Sequence, residues 1–492
     1  MMPMPLGLLP GLRHGSWLSK TYGGKEVSPV PIDRKTLIAK VKAAGVIGAG
    51  GAGFPTHVKL AGEVDTIIVN GAECEPLLAV DVQLMERQAE LLVTGLDTLV
   101  RALGAKVGII ACKAKHQIAI SNLLEAIRDK EGLLGVELCL LDDFYPAGDE
   151  PVLVYEVNSR IVPEGGIPLA VKCLVINVET LRNIVWALQD KPVVTTCVTI
   201  AGAVQRPVTL EVPVGTSFGA LLDLAGGVTV SDYRLIVGGP MTGGVISKEA
   251  MEEAEGQPMG SPKAVVGKTT KGLIVLPANH ALHRQSTLSV SAMLQRAQSA
   301  CCQCRLCTDL CPRYLLGYSI EPHLVLNRVN HGQTTDPLAI AQAFLCSDCG
   351  VCELYACPVG LSPRRMYRAL KSELLRQGAP TPYKGLSTRL RPRGAWAGRH
   401  IPASHLLTRL GLGPYDQKAP WMSLEFSPRQ VTIPLQQHIG VAGKPLVQAG
   451  DRVVTGQTIA TPPADALGAI VHSSIAGQVL EVTQEAVVIR GG

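Results

Sequence analysis

The sequence predicts a multidomain α/β protein, and three features of the chain support this prediction. Residues 35–190 alternate strand-like and helical segments, which is typical of a largely parallel sheet covered by helices on both faces. Nine of the 14 cysteines lie between Cys301 and Cys357, in a segment of helical character. Residues 431–489 contain short strands separated by glycines, which indicates a small β module. With 492 residues, the chain is long enough for three or four domains.

Composition excludes several classes of function. The net charge is +5 and aromatic residues make up 4% of the chain, so neither charge nor base stacking favours a nucleic-acid partner. No apolar run approaches the ~20 residues of a membrane helix. Residues 1–9 are apolar but contain prolines and no basic start, unlike a signal peptide. We therefore expect a cytoplasmic protein, in which crowded cysteines bind metal rather than form disulfides.

The first domain is predicted at residues 35–190, after an N-terminal arm at residues 1–34. Helical patterns cover Asp81–Leu103 and Gln117–Lys130. The strand candidates between the helical patterns are Thr66–Asn70, Lys106–Ala111, Val136–Leu141 and Cys173–Asn177. This alternation predicts a Rossmann-like domain.

A glycine-rich loop near residue 50 is the main candidate for ligand binding. It reads Gly-Ala-Gly-Gly-Ala-Gly-Phe-Pro-Thr over residues 48–56, and four glycines in six residues let backbone N–H groups approach a ligand closely. The loop follows an amphipathic segment, residues 37–44, rather than a strand, and it lacks the Gly-Lys-Ser/Thr ending of a P-loop. Alone, the loop is equally compatible with a simple turn.

The rest of the chain divides into four further predicted segments. Residues 191–270 are rich in β-branched residues and include a second glycine loop at 238–244, which is either a ligand loop or a connecting turn. Residues 271–377 carry the cysteines. Residues 378–427 are a predicted linker; the arginines in and just before it form either a solvated face or a docking surface for an acidic partner. Residues 428–492 form the last β module.

The cysteine runs give the strongest local signal. The first run is Cys301-x2-Cys304-x2-Cys307-x3-Cys311-Pro, which is the spacing of bacterial ferredoxins, and the second has one extra residue before its last cysteine. In two-cluster ferredoxins the fourth cysteine of each run binds the other cluster. We therefore predict two [4Fe–4S] clusters with the ligand sets Cys301, Cys304, Cys307, Cys357 and Cys346, Cys349, Cys352, Cys311. Zinc is the alternative, although zinc sites normally show paired rather than triple knuckles.

Two further motifs accompany the glycine loop: Asn-Gly-Ala-Glu-Cys-Glu-Pro at residues 70–76 and Asn-Val-Glu-Thr-Leu at residues 177–181. In this order the three motifs resemble the RnfC-like family, which includes the RnfC component of the Rnf complex and the cobalamin reductase of propanediol utilisation. The family is related to the NADH-binding flavoprotein subunit of complex I. The resemblance covers residues 31 to the C-terminus. It implies that residues 191–270 are a β-grasp (SLBB) domain and that residues 428–492 are a barrel-sandwich hybrid. The barrel-sandwich module has no lysine at its hairpin tip, so it is not a swinging arm.

The resemblance also implies which residues bind the cofactors. The glycine loop would hold FMN through Gly48, Gly50, Gly51 and Gly53, with Lys59 as a nearby cation. The strand-end residues Asn70 and Asn177, together with Thr180, would contact the flavin. The acidic residues Glu73, Glu75 and Glu150 would lie near flavin and nicotinamide. From the residues alone, Lys59 could be a surface lysine, the asparagines could be turn or cap residues, and the glutamates could be ordinary loop carboxylates.

By resemblance, the protein is expected to be an NADH-oxidising electron-transfer subunit. NADH gives two electrons as a hydride, clusters take one at a time, and FMN converts between the two modes. The acceptor is expected to be a redox partner in a larger complex: a corrinoid, a methylenetetrahydrofolate reductase or another flavoprotein. The alternatives are a flavin-free polyferredoxin-like adapter and a β-grasp scaffold stapled by clusters.

Overall fold

The computed structural model describes residues 16–18, 32–130, 132–256, 261–286, 288–330, 340–378, 383, 390–424 and 426–492. Most of the predicted N-terminal arm, and parts of the predicted linker, lie outside the described residues. Within the described ranges, no helix combines the length and apolar character that crossing a bilayer requires.

The first sheet has the order β1-β4-β3-β2-β6. Strands β4, β3, β2 and β6 are parallel, and the edge strand β1 is antiparallel to β4. The strands are β1 Ser16–Leu18, β2 Thr66–Gly71, β3 Val107–Lys113, β4 Val136–Leu141 and β6 Cys173–Asn177. The helices are α1 Arg34–Ala43, α2 Thr56–Leu60, α3 Val80–Arg87, α4 Ala89–Leu103, α5 Gln117–Asp129, α6 Glu150–Asn158 and α7 Val178–Leu188. All four predicted strands are present. The helical pattern predicted for residues 81–103 is two helices, because Gln88 leaves the helical region with φ −129° and ψ 30°.

Helices cover both faces of this sheet, as the alternation predicts. One buried apolar cluster packs α1, α3, α4, α5 and α7 on one face. The other face packs on α6 and continues without interruption into the cysteine-rich helices. The sheet therefore fixes where the cysteine-rich region lies relative to the glycine loop.

The second sheet has the order β10-β9-β11-β7-β8. Its elements are β7 Thr195–Gly202, β8 Val208–Pro213, α8 Phe218–Leu224, β9 Tyr233–Val237, β10 Gly244–Ser247, α9 Lys248–Gly256 and β11 Gly272–Pro277. β11 lies between β7 and β9 in the centre of the sheet. The sheet thus extends past residue 270, where the predicted domain boundary was placed.

The cysteine-rich region is helical. Its helices are α10 Ala281–Ser286, α11 Val290–Ala300, α12 Leu306–Asp309, α13 Pro312–Leu315, α14 Pro322–Asn330 and α15 Pro363–Arg376. A single π-helical turn covers Val351–Tyr355. Such a turn accommodates one extra residue, and it lies where the second cysteine run has its longer spacing.

Part of the predicted linker is folded against the first domain. β12 Ile401–Pro402 pairs with β5 Phe144–Tyr145, and the helix α16 Ala403–Arg409 follows it. The buried indole of Trp396 donates a hydrogen bond of 2.9 Å to Glu156 Oε1. The high Pro, Gly and Arg content of this segment is typical of a linker. The sequence did not predict its contacts with the first domain, because the partner residues are distant in the chain.

The C-terminal module consists of two small sheets. The strands of one are β13 Gln430–Pro434, β15 Arg452–Val453, β18 Gly477–Val482 and β19 Ala486–Gly491, and those of the other are β14 Lys444–Pro445, β16 Thr458–Thr461 and β17 Val471–His472. The module packs on the back of the glycine loop, where Ile439 N donates to Gly53 O at 3.1 Å. Lys268 strengthens this junction by donating to Gly45 O at 2.8 Å and Ile470 O at 3.1 Å.

Candidate functional site

The glycine loop is held closed at its base and open at its tip. Gly48 N donates to Phe54 O at 2.9 Å, and Gly53 N donates to Gly48 O at 3.2 Å. Gly51 has φ +114°, and a Cβ added there would meet no protein atom within 4 Å. At Gly53 (φ +64°) an added Cβ would lie 3.1 Å from Gln437 O, so this glycine faces the C-terminal module. The tip around Gly51 is therefore the part that leaves room for a planar ligand.

The predicted strand-end residues lie beside this loop. Asn70 and Asn177 are register partners at the ends of β2 and β6, the edge where parallel sheets bind ligands. Thr180 Oγ1 accepts a hydrogen bond from Ala49 N at 2.9 Å, and a Cβ on Gly50 would lie 3.3 Å from Asn177 Cβ.

Both asparagines also have structural bonds. Asn177 caps α7 by accepting from Glu179 N at 2.9 Å, and Asn70 Nδ2 donates to Gly148 O at 2.9 Å. Asn177 is therefore a helix cap, which is one of the two roles that the sequence left open for it. The same residue still stands at the wall of the cradle.

Lys59 and Glu150 are an ion pair with an Nζ to Oε1 distance of 2.8 Å. Lys59 Nζ also lies 3.3 Å from Val175 O in β6. The pair places one cation and one carboxylate next to the strand ends. Sequence reasoning named both residues but not their contact, since 91 positions separate them.

Glu73 and Glu75 have different environments. Glu73 Oε2 accepts from Asp81 N at 2.9 Å; burial, reinforced by the nearby Asp81 carboxylate, raises the pKa of Glu73 to about 8. Glu75 instead holds the second glycine loop, since its Oε2 accepts from Met241 N at 2.8 Å. An added Cβ on Gly239 would lie 2.1 Å from the Glu75 carboxyl carbon, so a side chain at residue 239 would displace this acid from its present position.

Sequence reasoning missed a buried charged network behind Asn177. Glu179 and Arg182 are fully buried and paired at 3.0 Å, and Lys271 also contacts Glu179. Burial disfavours the charged form of Glu179, but the Lys271 and Arg182 charges outweigh burial and hold its pKa below the usual range. Asp81 joins the network by accepting from Asn177 Nδ2 at 2.7 Å. Glu179 lies in the motif at 177–181, but the sequence does not show that its carboxylate faces inward.

The cysteines surround two cavities. One, of about 330 Å³ with its mouth included, is lined by Cys311, Cys346, Cys349 and Cys352. The other, of about 360 Å³, is lined by Cys301, Cys304, Cys307 and Cys357, with the exposed Cys302 at its edge. This is the same division of the eight cysteines that the ferredoxin-like spacing predicts.

The two cysteine loops have matching backbones. Gln303 and Asp348, two residues after the first cysteine of each run, both have left-handed φ angles of 55° and 61°. Arg305 and Gly350 occupy the next equivalent pair, with φ 65° and 79°. Non-glycine residues adopt this conformation at a cost of about 1–3 kcal/mol. Its recurrence at equivalent positions indicates two copies of one binding loop.

Each cavity is lined by four cysteines, the ligand number of a [4Fe–4S] cluster. Burial raises the pKa of Cys307 and of Cys349 to about 12. At such buried positions the positive charge of bound iron would stabilise the thiolate and so allow the thiol to lose its proton. The donor sets therefore fit cubane clusters.

One loop of the first domain contacts the Cys346–Cys352 segment. Tyr145 Oη donates to Cys349 O at 2.7 Å. Asp149 pairs with Arg313 at 3.1 Å, and Arg313 follows directly after Cys311-Pro312. The same loop supplies Gly148 to Asn70 and Glu150 to Lys59. It therefore joins the glycine-loop site to one of the two cysteine cavities.

Four family models match the chain. They are the Nuo51 FMN-binding domain at residues 41–186, the SLBB domain at 197–244, the 4Fe-4S dicluster domain at 300–362 and the RnfC barrel sandwich hybrid domain at 416–491. The predicted fold class is thus confirmed. The cofactors are FMN in the first domain and two [4Fe–4S] clusters in the cysteine-rich domain.

Curated relatives match over nearly the whole chain. The cobalamin reductase PduS of Citrobacter freundii is 45% identical over 93% of this chain and 97% of its own length. The Salmonella typhimurium protein of the same name is 44% identical over 92% of this chain and 96% of its length. One subunit of the Na⁺-translocating ferredoxin:NAD⁺ oxidoreductase complex of Acetobacterium woodii is 36% identical over 46% of this chain and 50% of its length. The chain therefore belongs to the RnfC-like family of flavin- and iron–sulfur-dependent oxidoreductases, together with the cobalamin reductase PduS.

Proposed function

We propose that the protein oxidises NADH and passes electrons through FMN and two [4Fe–4S] clusters to a corrinoid held by a partner protein in the cytoplasm. The contact between the 145–150 loop and the Cys349 segment carries this proposal. The loop touches the strand ends beside the glycine loop and also a cysteine cavity, so the two cofactor sites are neighbours. The corrinoid follows from the name of the 45%-identical relatives.

The flavin site of this proposal consists of the glycine loop and the strand ends. Gly48, Gly50, Gly51 and Gly53 form the backbone cradle, with Asn70, Asn177 and Thr180 along its wall. Lys59 is the cation available to a phosphate, and its bond to Glu150 keeps the ammonium in place when no phosphate is present. Bound FMN supplies the exchange between hydride and single-electron transfer.

Glu73 and Glu75, both predicted to lie near flavin and nicotinamide, have different roles in this proposal. Glu73 has a raised pKa and lies next to Asp81, so its carboxyl group is available as a donor or an acceptor near neutral pH. Glu75 already accepts two bonds from the 238–244 loop, from Met241 N and Thr242 Oγ1. We assign the nicotinamide side to Glu73 and a docking role to Glu75.

The structure also supports an order for the clusters. The cavity of Cys311, Cys346, Cys349 and Cys352 contacts the flavin domain through Tyr145 and Asp149. The other cavity opens to the surface at Cys304 and next to Val359, whose side chain is 41% exposed. We assign the first cavity to the cluster nearest FMN and the second to the cluster that faces the partner.

The proposal is tested with protein purified without oxygen. Two cubanes require about eight irons per chain, and one FMN is expected with them. Addition of NADH should bleach both the flavin and the cluster absorption, and a corrinoid should then be reduced in a NADH-dependent manner. Protein that lacks flavin and does not respond to NADH would instead support the adapter alternative. Bleaching by NADH without corrinoid reduction would refute the acceptor alone.

A further inference from the structure

A further cavity, distinct from the two cysteine cavities, lies between the SLBB sheet and the cluster domain, away from the glycine loop near residue 50. Its interior volume, without the mouth, is about 300 Å³. The second glycine loop forms one wall through Pro240 and Gly243, and the start of helix α15 forms another. Two sequence features that had no assigned role, this glycine loop and the arginine run, therefore meet in one cleft.

The cleft is strongly basic. Four arginines line it, against one lining carboxylate, Glu353; these arginines are Arg234, Arg364, Arg365 and Arg368. Arg364 is paired with Glu353 at 2.9 Å, and Arg368 contacts Asp348. Asp348 and Glu249 partly compensate these arginines, but the lining itself holds four guanidinium groups and one carboxylate.

Arg234 supplies the clearest sign of a missing ligand. It lies on β9 and lines the cleft. The exposed carboxylate of Glu249 attracts it without forming a close ion pair. Arg234 Nε is buried and has no hydrogen-bond partner among the described residues. A buried polar group without a partner is destabilising, and an anion in the cleft would supply the missing partner.

The remaining walls of the cleft are apolar. Ile236, Val245, Leu282 and Leu354 contribute this surface. A concave volume of this size with mixed lining is typical of small-molecule sites, which occupy about 300–1,000 Å³. Protein interfaces are broader and bury about 800 Å² per partner. Several guanidinium forks in one cleft match the multiple oxygens of a phosphate group better than a single carboxylate.

We propose that this cleft binds a phosphate-bearing small molecule with an apolar part, at a site separate from FMN. The cleft is mechanically linked to both redox regions. Glu75 of the flavin domain accepts from Met241 N, while Arg364 of the cluster domain donates to Met241 O. A ligand that engages Arg364 therefore acts on the loop that joins the two domains.

The test is calorimetric titration of the FMN- and cluster-loaded protein with inorganic pyrophosphate. We expect one saturable site per chain, and at least tenfold weaker binding in Arg234→Gln and in Arg368→Gln. The matched control is Arg376→Gln, which removes the same charge from the exposed end of the same helix and should change the affinity less than twofold. The visible spectrum of each variant checks that the cofactors remain bound.

Three results would overturn the proposal. The first is the absence of saturable pyrophosphate binding. The second is equal weakening by all three substitutions, which would show diffuse surface attraction. The third is binding of a polyglutamate peptide that requires Arg234 and Arg368 while pyrophosphate does not bind, which would assign the cleft to an acidic polypeptide. If Arg234→Gln loses its cofactors, Arg368→Gln decides.

Discussion

The proposed flavin cradle is most directly tested by Gly51→Val. Gly51 has φ +114°, where a side chain costs about 1–3 kcal/mol. No protein atom lies within 4 Å of the added Cβ, so the valine projects into the space assigned to FMN. Overpacking of such a space costs a further ~1–3 kcal/mol. The backbone cost is present with or without FMN, so only the overpacking term weakens binding, and it predicts FMN binding at least about fivefold weaker.

The matched control is Gly104→Val. Gly104 also has a left-handed φ, +64°, with open space around its Cβ, but it caps α4 far from the strand ends. Gly104→Val therefore carries the same kind of backbone cost, but it should leave the FMN affinity unchanged. The assay is fluorescence quenching of FMN titrated into flavin-depleted protein, with iron content as a check on the clusters. An FMN affinity in Gly51→Val within threefold of the wild type would refute the cradle assignment.

Three further predictions follow from particular contacts. Cys349→Ala and Cys304→Ala should each lower the iron content from about eight to about four per chain, whereas Cys302→Ala should keep both clusters. Electron paramagnetic resonance should show that NADH still reduces the remaining cluster in Cys304→Ala but not in Cys349→Ala. Burial lowers the pKa of Lys268 to about 7, whereas in the unfolded chain this lysine has its ordinary, higher pKa. Between these two pH values the unfolded chain binds more protons than the folded protein. The free energy of unfolding should therefore rise by about 2–3 kcal/mol from pH 7 to pH 9. Denaturant titrations should show this rise to be absent in Lys268→Met and present in Lys444→Met; a rise that Lys268→Met retains would contradict the assignment. Asn177→Ala should cost about 0.5–2 kcal/mol as a lost helix cap and should also weaken FMN binding, whereas unchanged flavin affinity would leave Asn177 with only its capping role.

Features encoded by local patterns were predictable from the sequence. The strands at 136–141 and 173–177 are present with the bounds that their apolar runs predict. The three ligands that each cysteine loop supplies follow from spacing, because each loop is short and self-contained, and the exchange of the fourth cysteines follows from the pattern of two-cluster ferredoxins. The π-helical turn at Val351–Tyr355 is the physical answer to the one extra residue in the second run.

Contacts between distant parts of the chain were not predictable from the sequence. The carboxylate of Glu75 looked like a nicotinamide contact, but 166 positions later Met241 N occupies one of its oxygens. The strand β11 belongs to the SLBB sheet but lies beyond the predicted domain boundary. Its parallel pairing with β7 requires a long crossover, so the two strands are far apart in the chain. Charge pairs such as Arg313 with Asp149 leave no periodic signal in either segment.

The 238–244 loop shows how such distant contacts determine function. From the sequence alone, this loop fitted either a turn or a ligand loop. The structure shows a third property, because one of its residues, Met241, contacts two domains at once. Met241 receives a bond from the cluster domain on its carbonyl and donates its N–H to the flavin domain. Because electron transfer requires cofactors at fixed separation, a loop that sets the relation between these domains also sets the conditions for transfer. A ligand in the adjoining arginine cleft would therefore influence the relay without touching FMN or a cluster.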